Sequence, residues 1–60
     1  METIAVYADR KTNKRVTVFK VELLDTGTRI HYARIGHKQT QVTGRSNFKD
    51  NYYNVAGIVV

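Results

Sequence analysis

The chain has no cysteine, no proline and no tryptophan. Without cysteine there are no disulfides and no thiolate metal sites. Two histidines and five carboxylates are too sparse to suggest a structural metal, and no cofactor is expected. Without proline there are no proline-rich linkers and no cis-proline turns. Helix formers are scarce as well, with alanine only at 5, 8, 33 and 56 and leucine only at 23 and 24. No apolar run approaches the roughly 20 residues of a membrane span. Glu2, with no apolar block after a basic start, speaks against a signal peptide. The expected setting is soluble and cytoplasmic, with no membrane partner.

Catalytic groups are equally scarce. Nucleophilic catalysis needs a nucleophile beside a base. Ser46 is the only serine and falls in a loop-like stretch, and no carboxylate stands at a partner spacing from His31 or His37. Gly27, Gly36, Gly44 and Gly57 are too dispersed for a phosphate-cradling loop. A chain this small also lacks room for a catalytic cleft of several hundred Å³. The expectation is a protein that binds and does not catalyse.

What the 60 residues do contain is strand chemistry. Valine and isoleucine dominate the apolar set, with four tyrosines and seven threonines beside them. This predicts one all-β domain over residues 1–60, which buries only about 60% of its unfolded surface and is marginally stable. Strands are expected at Thr3–Ala8, Arg15–Leu24, Thr28–Ile35, Lys38–Thr43 and Val55–Val60. The second changes phase, because Val16 and Val18 share one face while Phe19, Val21 and Leu23 share the other. A bulge or sharp bend near Val18–Phe19 would keep both sets inside. Asp25-Thr26-Gly27 marks one turn and Gly36-His37 a two-residue hairpin turn. The fourth strand, with Val42 its only large apolar residue, should lie at an edge. Asp50-Asn51 suits the cap of a single helical turn running into Tyr52 and Tyr53. The apolar last strand must be covered, by closing a barrel or by pairing with a second copy.

Five strands with a short turn before the last, at Phe48–Val55, resemble the SH3-like barrel. That resemblance implies a small five-stranded antiparallel barrel. It does not imply proline-rich peptide binding, because the paired tryptophans and the proline of the signalling members are missing here. The alternative is a more open sheet completed in a dimer.

The positive charge is the main functional signal. Formal net charge is +5, and Arg10-Lys11-Thr12-Asn13-Lys14-Arg15 packs four cations into six residues between two strands. Such a loop stays in solvent and suits a polyanion, most simply DNA or RNA. Arg29 and Arg34 on the third strand, Lys38 on the fourth and Arg45 in the next loop extend the set. If the Gly36-His37 hairpin forms, Arg29, His31 and Ala33 share an outer face with Gln39, Gln41 and Thr43, which suits phosphate and base-edge contacts. The expected nucleic-acid contacts are therefore Arg10, Lys11, Lys14, Arg15, Arg29, His31, Arg34, Lys38 and Arg45. The competing expectation is a protein-interaction module, an inhibitor or regulator of an acidic partner, using Phe48, Tyr52 and Tyr53. Small-molecule binding at a subunit interface is a third. Self-association is expected through the C-terminal strand.

Overall fold

The structure is a computed structural model that describes residues 2–60. Its elements are β1 (Ala5–Asp9), β2 (Arg15–Leu24), β3 (Gly27–Arg34), β4 (Thr40–Gly44), α1 (Arg45–Asn51) and β5 (Tyr52–Gly57). The strands form one antiparallel sheet in the order β4-β3-β2-β1-β5. Its edges, β4 and β5, do not pair with each other, so the sheet is not closed. The short helix packs against β3, β4 and β5 across that opening.

The phase change in β2 is a bulge. Val18 pairs with Tyr32 and Lys20 with His31, leaving Phe19 as the extra residue. The inserted residue shifts the alternation by one position. Val21 therefore returns to the face of Val16 and Val18, opposite Ile30, and packs against the core. Phe19 does not. It stays on the outer face, with its ring 6.3 Å from that of His31. Leu23 is 81% exposed, because the tip of the β2–β3 ribbon reaches past the pairing of β1.

The core is built on the inner face. Ala5, Tyr7, Val16, Val18, Ile30 and Tyr32 line the sheet, Phe48 enters from α1, and Val60 enters from the C-terminus. Phe48 is fully buried, with ring centroids 5.0 Å from Tyr7, 5.1 Å from Tyr32 and 4.8 Å from Tyr52.

Three expectations about local structure are corrected. The β3–β4 connection is not a two-residue turn but the loop 35–39. A tight turn opens it, closed by the His37 N–H donating to the Arg34 carbonyl at 2.9 Å. Gly36 holds the third position with φ 85°, which glycine adopts without strain. The helix starts five residues earlier than expected, so Asp50 and Asn51 lie in its last turn and cannot cap its start. The last strand runs Tyr52–Gly57, not Val55–Val60. Beyond Gly57 (φ 82°) the chain folds back, and the Val60 N–H donates to the Tyr7 hydroxyl at 2.8 Å. The C-terminal apolar residues are thus covered in part by the chain itself, although Ile58 and Val59 remain exposed.

Among the described residues, no helix is long and apolar enough to cross a membrane.

Candidate functional site

An antiparallel meander returns every second connection to the same end of the sheet. The β1–β2 and β3–β4 connections therefore share one end. The β2–β3 turn and the β4–α1 junction share the other, where Thr26, Gly27 and Thr28 line a groove with Gly44, Arg45, Ser46 and Asn47. Helix α1 then carries the chain back to the first end. There the Arg10 N–H donates to the Asn51 carbonyl at 2.9 Å, and β5 begins beside Asp9.

This path sorts the charge. Arg10, Lys11, Lys14, Arg15, Arg34, Lys38 and Lys49 lie at the first end, against Asp9 and Asp50. Lys20, Arg29 and Arg45 lie elsewhere, against Glu2, Glu22 and Asp25. Seven cations against two carboxylates leave the whole formal charge of +5 at one end; three against three leave the rest neutral. Among the described residues the one contact between a basic and an acidic side chain is the hydrogen bond between His31 Nε2 and Glu22 Oε1, at 3.1 Å, an ion pair only when the imidazole is protonated, and it belongs to the neutral part. No cation at the charged end is paired to a carboxylate within the described residues.

Asp9 organises the loop without neutralising it. Its carboxylate accepts the backbone N–H of Lys11 at 2.7 Å and of Thr12 at 3.0 Å. Those donors, Thr12 foremost, hold the carboxyl below its ordinary value of 3.8. The Asn13 N–H donates to the Asp9 carbonyl at 2.8 Å, and Asn13 takes φ 61°, a conformation asparagine tolerates better than most residues. The Tyr53 hydroxyl donates to the Asn13 side chain. The loop is therefore fixed along its length.

The sequence-based contact set divides accordingly. Lys11, Lys14, Arg15, Arg34 and Lys38 are exposed and gathered at the charged end. Arg10 is there too, but its guanidinium donates to the Lys49 carbonyl through Nη2 at 3.2 Å and Nε at 3.4 Å, closing the C-terminus of α1. Arg29, His31 and Arg45 lie away from this end. The shared polar outer face is overturned by the register. Ile30 pairs with Thr43, Tyr32 with Gln41 and His31 with Val42. Directly paired residues share a face, so Gln41 and Thr43 lie with the core face and Val42 lies outside beside His31. Gln41 is also engaged, accepting the Tyr32 hydroxyl at 3.0 Å.

Of the aromatic trio, Phe48 is core and offers no surface. Tyr52 is half-buried, stacked on Phe48 with 20° between the ring planes. Tyr53 is 37% exposed at the rim of the charged end. Lys49 is the cation that sequence reasoning missed. It stands 39 residues from Arg10, and only the return path of α1 brings the two together. Between Lys14, Arg34 and Tyr52 lies a cleft of about 20 Å³, also lined by Asp9, Thr12 and Val16.

Comparison with family models, with curated proteins and with solved structures found no match for this chain.

Proposed function

We propose that the chain is a non-enzymatic nucleic-acid-binding protein whose cationic end contacts phosphates. One observation carries the reading: the entire formal charge sits at one end, on side chains with no carboxylate partner among the described residues. Such an end attracts polyanions and orients the protein on approach. The basic loop is held in place before any ligand arrives, so little ordering is needed on binding.

The alternative of a protein module loses two of its three aromatic contacts, because Phe48 is core and Tyr52 is stacked against it; Tyr53 stays exposed, with Val55 exposed on the same strand. An acidic protein is the partner to seek only if nucleic acid fails to bind. We also read the fold as an open relative of the SH3-like barrel, on its strand order and the helical turn before β5. A cytoplasmic setting goes with this ligand. The free edge of β5, uncharged from Tyr52 to Gly57, is where a second copy would pair.

The test is fluorescence polarisation with random single- and double-stranded oligonucleotides, comparing the native chain with Lys11→Glu/Lys14→Glu. Both side chains are exposed, so the variant should fold as before. Binding that weakens with salt and is lost in the variant supports the reading. Binding of equal strength in the variant removes the loop from it. Light scattering on the same sample reports self-association.

A further inference from the structure

We propose that the ligand of this end is double-stranded nucleic acid, held through its phosphates without reading of base sequence. The inference rests on the nucleic-acid reading and narrows it. Three independent features carry it.

The first is the absence of a slot for a base. Single-strand binders draw much of their affinity from bases stacked on open aromatic rings. Here Tyr52 lies against Phe48, Tyr32 is 8% exposed, and the cleft beside Lys14 and Arg34 has about 20 Å³. That is room for one water and not for a base. Tyr53 is the exposed tyrosine at this end, with its hydroxyl bound to Asn13, and the half-buried Phe19 lies on the outer face beside His31, away from the loop.

The second is the β3–β4 register. Base edges are read by amide, guanidinium and hydroxyl groups presented together. The register turns Gln41 and Thr43 to the core face and sets Val42 on the outer one, so the paired strands β3 and β4 present no row of such groups on the outer face.

The third is rigidity. The β1–β2 loop is pinned by Asp9, by the Arg10 contacts to α1 and by Tyr53. Cations on a fixed loop suit a ligand whose phosphates are themselves held in place, as in a duplex. A flexible strand would have to be ordered to meet them.

Five exposed cations are free of the α1 contact: Lys11, Lys14, Arg15, Arg34 and Lys38. If three to five of them each meet a phosphate, affinity for a duplex falls about 40- to 500-fold between about 50 and 200 mM salt.

The experiment titrates the native chain, Lys38→Gln, Tyr53→Leu and Tyr53→Phe against two duplexes of unrelated sequence and against their separated strands, at both salt concentrations. The expected result has four parts. The two duplexes bind within about threefold of each other, and single strands bind more weakly. Lys38→Gln lowers the salt slope by about 0.9 on both duplexes alike, while Tyr53→Leu leaves duplex affinity within about twofold of that of Tyr53→Phe, a control that loses the Asn13 bond and keeps the ring. Preference for one duplex beyond about tenfold overturns the inference, as do single strands bound more tightly and lost in Tyr53→Leu, and both results leave the broader nucleic-acid reading standing. No binding of any oligonucleotide at the lower salt overturns both.

Discussion

Replacing Phe48 with alanine should remove half or more of this protein's stability. The ring is fully buried and meets Tyr7, Tyr32 and Tyr52 at centroid distances near 5 Å. Truncating a buried phenylalanine to alanine costs about 3–5 kcal/mol. A chain of 60 residues has about 3–9 kcal/mol of stability in all, at 0.05–0.15 kcal/mol per residue. There is also no second core to fall back on, since Phe48 is the one buried side chain that α1 contributes. Phe48→Leu keeps most of the volume and loses three aromatic contacts, which at about 0.5–1.5 kcal/mol per ring pair amounts to about 3 kcal/mol. In a domain this small that lowers Tm by about 12–24 °C. Thermal melts followed by near- and far-ultraviolet circular dichroism give both values. A Phe48→Ala protein that melts cooperatively within about 5 °C of the native chain, a loss of only about 1 kcal/mol, would refute the packing described for α1. The same pair of variants separates core from partner surface. A role for Phe48 in binding would weaken binding in Phe48→Leu below its melting temperature, and none is expected.

Gly57→Ala should cost more than about 2 kcal/mol, since a left-handed residue other than glycine already costs about 1–2 kcal/mol and a Cβ here would sit 2.7 Å from the Ala5 Cα; urea denaturation checks it, and a midpoint equal to the native one contradicts the β1–β5 geometry. Asp9 supplies a pH dependence of definite sign. Its folded carboxyl titrates below 3.8, so its contribution is present above that value and is lost as pH falls through the lowered one. Asp9→Asn should therefore flatten the acid limb of the stability profile, its deficit at about pH 7 shrinking by about pH 3. Parallel acid limbs in the two proteins would show that the Thr12 and Lys11 N–H groups do not hold the charge.

The strand pattern was legible where one face is plainly apolar. The bounds of β2 and its bulge follow from the clash between the Val16/Val18 and Val21/Leu23 phases, which one extra residue resolves. The same pattern does not say which residue is extra, and so it misplaces Phe19. The register of β3 on β4 was illegible for a different reason. Val42 is the only apolar guide in β4, and a single guide cannot fix a register when the connection is five residues long rather than two. The helix was hidden because its start lacks a side-chain cap. Its burial rests on one phenylalanine, too little to show a 3.6-residue period. Cover for the C-terminus was foreseeable from its composition, but the fold-back that places Val60 on Tyr7 depends on the break at Gly57.

Counting charge along the sequence and counting charge available at a surface give different sites. The run Arg10–Arg15 offers four cations on paper, and the structure withdraws Arg10 to hold the end of α1. It adds Arg34 and Lys38 from the neighbouring connection and Lys49 from the helix. None of the three is close to the run in sequence, and all are brought there by the alternation of an antiparallel meander and one return helix. The proposed contact surface therefore moves from a loop motif to an end of the fold. Neutralising Arg10 should act mainly on stability, through the α1 carbonyl it serves, whereas neutralising Lys38, 24 residues beyond Lys14 in the chain, should act on affinity. A basic run in a hairpin becomes a binding surface only when the rest of the topology delivers more charge to the same end and leaves its carboxylates elsewhere. In this chain Asp9 is the exception that fits the rule, because its carboxylate is turned to backbone N–H groups and leaves the lysines beside it unpaired.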